Sequence, residues 1–189
     1  MFRIVGLDLS LSATGWAEWK DGLHNFGVIR TVPDKTVYGE VRRIQSIVQQ
    51  VGEVCRGADL AAIEDFAFAS NANGARAIGC VGYMVRMWLL NHKIPYVVVG
   101  TGQLRLFCTG SGKSGEKGTM IREVFRRWHV EVDDHNAADA IGLAHVGLAL
   151  AGWMDEPLVY QEKVLTNVRK RNTDVDFESL ENSALTAKA

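Results

Sequence analysis

Apolar residues recur along the chain at two spacings, and the change from one spacing to the other predicts an alternation of strands and helices. Short apolar runs predict five strands, at residues 2–9, 14–20, 25–31, 59–64 and 94–100. The Asp-Gly pair at 21–22 is typical of a hairpin turn between the second and third strands. Apolar residues three and four positions apart predict helices at 36–56, 73–93, 118–129 and 135–153.

The order of these elements predicts the fold class. Three strands joined by hairpins, followed by alternating helix and strand, indicate an α/β protein in which helices cover both faces of a mixed sheet. Beyond Trp153 the apolar periodicity is lost, and the segment carries charges of both signs. We therefore predict one domain over residues 1–152 and a C-terminal extension over residues 153–189 that is partly flexible.

Composition places the chain among ordinary globular proteins. It has 189 residues, of which 47% are apolar and 23% are charged, and its formal net charge of -1 gives no support by itself to nucleic-acid binding. The three cysteines are too far apart to form a CxxC pair, and an odd number suits a reducing compartment. Because no apolar stretch reaches membrane length, we expect a cytoplasmic protein.

Three acidic residues lie within or beside apolar segments, where an unpaired carboxylate is costly. Asp8 lies in the first strand and Glu64 ends the fourth, so their side chains would meet if these strands are parallel neighbours. Asp139 lies in the first turns of the last helix, on the same face as His135 and Asn136. Three clustered acids suggest a site for Mg²⁺ or Mn²⁺, which prefer oxygen ligands. Taken singly, each acid is more typical of a turn, a solvated strand end or the first turn of a helix.

Three segments of the sequence together carry a family resemblance. IVGLDLSLSATGWA, AIEDFAFASNANGARAIG and DDHNAADAIGLAHVGLAL resemble the three acidic motifs of RuvC-type Holliday junction resolvases, in particular divergent phage-like members. The resemblance extends from residue 2 to residue 150. It implies an RNase H-like fold, with a three-stranded meander and two parallel strands in one five-stranded sheet. It also implies a homodimer that cuts four-way DNA junctions with bound magnesium, in a bacterial cell or a phage-infected host, and makes Asp8, Glu64 and Asp139 metal ligands.

Position 136 departs from the family pattern. Three residues before the final aspartate the family usually has a second carboxylate or a histidine, and this chain has Asn136. An amide oxygen can bind magnesium but brings no charge, which puts a second metal in question. Asp134 or His135 could substitute, or the asparagine could be an engineered change. In the mechanism that the resemblance implies, one ion activates a water and a second stabilises the leaving 3′ oxygen of the phosphodiester.

Basic residues are concentrated between positions 100 and 130. A solvated helix face and a DNA-binding surface are both consistent with this concentration. The resemblance places Arg105 and Lys117 near two functional lysines of the family. Arg105 would then clamp a phosphate, while Lys117, with Lys113 as the alternative, would stabilise charge at the scissile phosphate. The basic residues of this segment are Arg105, Lys113, Lys117, Arg122, Arg126 and Arg127, against two acids, Glu116 and Glu123.

Two further features of the sequence concern possible partners. The GKS at 112–114 resembles the end of a nucleotide-binding P-loop, but Phe107 stands where the motif needs its first glycine. We therefore predict no nucleotide cofactor.

The helix around residues 75–90 is apolar nearly all round, whereas a helix that covers a sheet needs one apolar stripe. The surplus apolar surface predicts a second packing partner besides the sheet. That partner is either the same helix of another subunit, as two opposed nicks would require, or other helices of the same domain.

Aromatic residues follow Glu64 closely. The family often has an aromatic residue that unstacks bases near the crossover, three residues after the glutamate, where this chain has Ala67. Phe68 is therefore a candidate for this wedge, although Phe66 and Phe68 are equally consistent with a core role.

Two other functions remain open. One is a junction-binding protein with weakened catalysis, favoured by Asn136. The other is an actin-like or sugar-kinase-like ATPase, because GLDLSLSATG also resembles the first phosphate loop of that superfamily.

Overall fold

The structure, a computed structural model, describes residues 2–65, 72–112, 118–154 and 156–188. The five predicted strands and the four predicted helices are all present, with ends within about three residues of the predicted ones. The elements run in the order β1 (Arg3–Asp8), β2 (Ala13–Lys20), β3 (Leu23–Arg30), α1 (Val37–Cys55), β4 (Leu60–Glu64), α2 (Ala72–Asn91), β5 (Tyr96–Val99), α3 (Thr101–Thr109), α4 (Thr119–Trp128), α5 (His135–Leu150), α6 (Val159–Arg171) and α7 (Phe177–Lys188).

The five strands form one mixed sheet in the order β3-β2-β1-β4-β5. β1 to β3 form an antiparallel meander, because β2 pairs antiparallel with both of its neighbours. β4 pairs parallel with β1 on one side and with β5 on the other. The predicted α/β fold, with a three-stranded meander and two parallel strands between helices, is therefore confirmed.

Alternating side chains of the central strands enter different cores on the two faces of the sheet. Ile4 and Ala62 pack in the core cluster that contains α5. Val5 and Leu7 pack on the opposite face, in the cluster that contains α1 and α2. This period of two, with both faces covered, explains why β1 reads as a continuous apolar run that ends at Asp8.

Two glycines allow α5 to lie unusually close to the sheet. A Cβ atom at Gly6 of β1 would overlap the carbonyl oxygen of Ala140, and one at Gly15 of β2 would overlap the carbonyl oxygen of Asn136. Gly15 is also the antiparallel partner of Asp8. The N-terminal half of α5 is thus held directly over the end of β1, which sets the distance of Asp139 and Asn136 from the sheet.

The segment after Trp153, predicted as a partly flexible extension, contains the helices α6 and α7. Val164 and Val168 of α6 and Leu180 of α7 are buried in the same core cluster as α5. The side chain of Asn172 also accepts a hydrogen bond from the Val98 backbone N–H at 2.9 Å and donates one to the Val98 carbonyl at 3.2 Å. The amide therefore pairs with the outer edge of β5 as a neighbouring strand would. The division of the chain at residue 152 stays a prediction.

One helix within the first 152 residues was not predicted. α3 has three buried residues, Leu104, Phe107 and Cys108, which cover part of α5, but nine residues are too few to show a clear periodicity. In the described part of the chain, no helix is long and apolar enough to cross a membrane.

Candidate active site

The acids Asp8 and Glu64 lie side by side at one edge of the sheet. The parallel register of β1 and β4 ends with the pair Leu7 and Ile63, and these acids are the next residue of each strand. By the alternation of side chains, Asp8 lies on the same face as Ile4, and Glu64 on the same face as Ala62. That face is the one covered by α5, which carries Asp139. The fold thus brings together three acids that are separated by 56 and 75 positions in the sequence.

The electrostatics of these carboxyl groups show how closely they are placed. Burial raises the pKa of Asp8 to about 9, with further contributions from the charge of Glu64, a hydrogen bond with Glu64, and the charge of Asp139. Burial, followed by the charge of Glu64, raises the pKa of Asp139 to about 7, although the nearby Arg105 acts in the opposite direction. Each acid is therefore within electrostatic reach of the others, in a partly desolvated site.

The donor atoms of this site suit a hard divalent cation. In the described residues, no group of three or more His, Cys, Asp and Glu side chains is arranged to hold an ion, and Asp8 and Glu64 are joined by a hydrogen bond instead. A carboxyl pair that shares a proton is the expected state of such acids without a cation, because two adjacent carboxylates cannot both ionise cheaply. Carboxylate and amide oxygens are the ligands that Mg²⁺ and Mn²⁺ prefer, so the residues fit such an ion by their chemistry.

The start of α5 places the three residues considered for the remaining metal position. Asp134 is the N-cap, and its Oδ1 accepts hydrogen bonds from the backbone N–H of Asn136 at 2.8 Å and of Ala137 at 3.4 Å. The Asn136 side-chain Nδ2 donates to the same oxygen at 3.0 Å, and Arg30 pairs with Asp134 Oδ2 at 2.5 Å. His135 is exposed at the first position of the helix. Asp134 is therefore engaged as a cap, and Asn136 lies one turn before Asp139 on the same face.

The basic residues predicted to contact DNA have different positions. Arg105 of α3 is partly buried and close enough to Asp139 to lower the pKa of that acid. Arg122 of α4 is exposed and its guanidinium lies 3.4 Å from the Thr119 hydroxyl. Lys113, Lys117, Phe66 and Phe68 lie outside the described residues. Arg105 is thus the one predicted DNA contact that the described structure places beside the acids.

Two structural supports of the site were not found from the sequence. Arg30, at the end of β3, pairs with Asp134 across 104 positions of the chain. Asp65, directly after Glu64, pairs with Arg171 of α6 at 2.7 Å and with Arg86 of α2 at 3.5 Å. The first pair ties the start of α5 to the end of β3, and the second anchors the residue that directly follows Glu64 at the end of β4. No local pattern could have indicated them, because each joins elements that are distant in sequence.

The helix α2 has an apolar stripe that its own domain leaves exposed. Val81, Val85 and Leu89 are buried against the sheet, but Tyr83 and Leu90 are 67% and 69% exposed. Met87 lies between them and is also exposed. Of the two partners considered for the surplus apolar surface, burial under other helices of the same domain is thus not observed for these three residues.

Solved structures of junction resolvases share this fold. RuvC of Thermus thermophilus matches with a TM-score of 0.64 and 20% identity, over 83% of this chain and 100% of that chain. The same RuvC in complex with a Holliday junction substrate matches with a TM-score of 0.66 and 19% identity, over 84% and 100% of the two chains. Ydc2, the mitochondrial Holliday junction resolvase of yeast, matches with a TM-score of 0.56 and 12% identity, over 92% and 84%. No protein-family model matches the chain, and no curated protein matches it by sequence. The resemblance to the RuvC fold is confirmed.

Proposed function

We propose that this chain is a RuvC-type, divalent-metal-dependent endonuclease that acts as a homodimer and resolves four-way DNA junctions by paired hydrolysis of phosphodiester bonds. The observation that carries the proposal is the convergence of Asp8, Glu64 and Asp139 at the end of two parallel strands, in a fold shared with RuvC. Acids in a partly desolvated cluster are costly to the fold, and such a cluster is typical of catalytic sites.

The residues of the site have distinct proposed roles. Asp8, Glu64, Asp139 and the amide oxygen of Asn136 would hold the cations, with magnesium as the expected ion and manganese as a substitute. Bound divalent cations supply a more acidic water and neutralise charge on the phosphate. Arg105, beside Asp139, would clamp a phosphate oxygen next to the scissile bond.

Further contacts with DNA come from the basic segment. We assign Lys117, or alternatively Lys113, to the developing charge at the scissile phosphate, and Arg122 to the DNA backbone. Phe68 is the proposed wedge at the crossover. The exposed stripe of Tyr83, Met87 and Leu90 on α2 is proposed as the contact with a second subunit. A two-fold dimer presents two equivalent sites to the two opposed strands of a junction. The protein would act in the cytoplasm of a bacterium or a phage-infected host, without a nucleotide cofactor.

A labelled four-way junction tests this proposal directly. The protein is incubated with the junction in Mg²⁺, and parallel samples contain EDTA or the Glu64→Gln variant. We expect paired symmetric nicks near the branch point in Mg²⁺ and none in EDTA. Glu64→Gln should leave junction binding intact in a gel-shift assay while cleavage falls to background. Unchanged cleavage by Glu64→Gln, or cleavage that persists in EDTA, would remove this site from the mechanism.

A second function is favoured by one observation, the neutral amide at position 136. A site with one carboxylate fewer attracts cations less strongly, which would suit a junction-binding protein with weakened catalysis. The two functions differ in the response to Asn136→Asp. A large increase in cleavage by this variant, from a wild type that binds junctions but barely cuts them, would favour the binding protein.

A further inference from the structure

The amide of Asn136 is held in one orientation by its neighbour. Its Nδ2 donates to Asp134 Oδ1 at 3.0 Å, and the backbone N–H of Asn136 donates to the same oxygen at 2.8 Å. An ionised carboxylate only accepts hydrogen bonds, so the group facing Asp134 must be the NH₂ and not the carbonyl of the amide. The amide oxygen of Asn136 therefore faces away from Asp134.

Asp134 is itself held from the other side. Its second oxygen, Oδ2, pairs with the Arg30 guanidinium at 2.5 Å, and Asp134 is largely protected from solvent while Arg30 is mostly exposed. Both oxygens of Asp134 are thus occupied by donors from the helix and from β3. This chain of contacts runs from Arg30 through Asp134 to Asn136, and it ends at the helix face that carries Asp139.

The backbone of Asn136 also has little freedom to move. Its carbonyl oxygen lies against Gly15, where any side chain would overlap it, and Gly15 is the strand partner of Asp8. The sheet therefore fixes the backbone of Asn136 at the strand partner of Asp8, and Asp134 holds its side-chain amide. In the described residues, no hydrogen bond to its oxygen Oδ1 is found.

We propose that Asp134 is a positioning residue that turns the amide oxygen of Asn136 toward the cation site, so that a neutral asparagine serves as a defined oxygen ligand. This inference rests on the proposed function, because it concerns the same metal site. It explains how the chain keeps an oxygen donor at a position without a second carboxylate. It also gives Asp134 a role other than coordination, since both of its oxygens already accept hydrogen bonds from the protein.

The test uses Mn²⁺ binding to the full-length protein, measured by electron paramagnetic resonance, which requires no DNA and no cleavage. Asp134→Ser keeps a good N-cap but cannot bond both the helix N–H and the Asn136 amide. We expect about tenfold weaker Mn²⁺ binding, as is usual for a lost outer-shell partner. The matched control is Thr36→Ala, which removes the N-cap of α1 without touching Asn136 and should leave Mn²⁺ affinity unchanged.

A second pair of variants shows whether Asp134 acts through Asn136. In an Asn136→Asp background both oxygens at position 136 can bind a cation, so the orientation that Asp134 imposes no longer matters. Because the charge of Asp134 reaches the acid cluster, Asp134→Ser should still weaken Mn²⁺ binding slightly there, but much less than in the native background. An equal loss in both backgrounds, or no loss in either, would overturn the positioning role.

The side-chain NH₂ signals of Asn136 in NMR spectra of the metal-free protein provide a readout that needs no ion. We expect Asp134→Ser to shift them and Thr36→Ala to leave them in place, and unshifted signals in Asp134→Ser would also overturn the inference. Failure of the wild type to bind Mn²⁺ would overturn the proposed metal site as well. Normal wild-type binding that Asp134→Ser does not weaken would overturn the positioning role alone.

Discussion

Replacing Asp8 by asparagine should stabilise the metal-free protein at neutral pH while it abolishes cleavage. Asp8 lies at the end of β1, on the face covered by α5, beside Glu64 and Asp139. Burial and these two acids raise its pKa from the ordinary 3.8 to about 9. At pH 7 Asp8 is ionised in the unfolded chain, and it must take up a proton when the chain folds.

The size of this effect follows from the pKa values. At pH 7 the solution is about three units above the pKa of the unfolded state, and at ~1.4 kcal/mol per unit the protonation costs about 4 kcal/mol. Asparagine takes up no proton on folding, but its amide must still be desolvated. We therefore expect the free energy of unfolding of Asp8→Asn to exceed that of the wild type by about 2 kcal/mol at pH 7. Between the two pKa values the folded state binds more protons, and the stability of the metal-free wild type therefore falls as the pH rises. At pH 5 the gain from asparagine should be correspondingly small.

Urea unfolding in EDTA at several pH values between 5 and 8 measures this gain. The surface variant Glu53→Gln serves as the control, because Glu53 lies in an exposed pair with Arg56. In Mg²⁺ or Mn²⁺ the wild type should gain stability as the ion binds, and Asp8→Asn should gain much less. An Asp8→Asn protein that is less stable than the wild type in EDTA at pH 7, or whose advantage is the same at pH 5, would refute the reasoning.

Four further predictions concern other parts of the structure. Arg105→Ala should reduce cleavage about a hundredfold and move the pH–rate profile to higher pH, since Arg105 holds the pKa of Asp139 down; partial rescue by lysine is the check. Burial and the neighbouring imidazole of His24 hold the pKa of His145 well below 6.5, so the unfolded chain takes up a proton below pH 6.5 that the folded protein does not. The free energy of unfolding of the wild type should therefore fall by ~1 kcal/mol between pH 7 and pH 5.5 through this residue, and His145→Phe should remove that fall. Asn172→Ala should lower the free energy of unfolding in urea by about 2 kcal/mol, through its lost bonds to β5. The proposed dimer predicts that the wild type sediments as a dimer and that Leu90→Glu, on the exposed stripe of α2, sediments as a monomer.

The strands of the sheet were predictable from strong local patterns, whereas the convergence of the acids also needed β1 and β4 to be parallel neighbours, as the family resemblance implied. Hairpin turns and apolar runs predict the meander, and carboxyl groups at the ends of parallel neighbours must share one sheet edge. Asn136 and Asp139 are one helical turn apart, so their common face follows from spacing alone. The close approach of α5, which depends on Gly6 and Gly15, was not indicated by any periodicity.

The rest depends on contacts between distant parts of the chain. The helix α6 buries Val164, Leu165 and Val168, too few apolar residues to indicate a helix among many charges, and its burial comes from tertiary packing. The pair of Arg30 with Asp134 joins the end of β3 to the start of α5. Neither residue has a neighbour in sequence that indicates the other. Ion pairs of this kind form only when distant elements have packed together.

The hydrogen bonds of the Asn172 side chain to β5 have a consequence for truncation of the chain at its C-terminal end. A strand at the border of a sheet presents unpaired backbone groups that can recruit the backbone of a second molecule, which is a common route to aggregation. In β5 this role is blocked at Val98 by a side chain from the end of α6. Deletion of the C-terminal helices would therefore expose the backbone of the edge strand at Val98. We expect a shortened protein to aggregate under conditions in which its sheet is still folded.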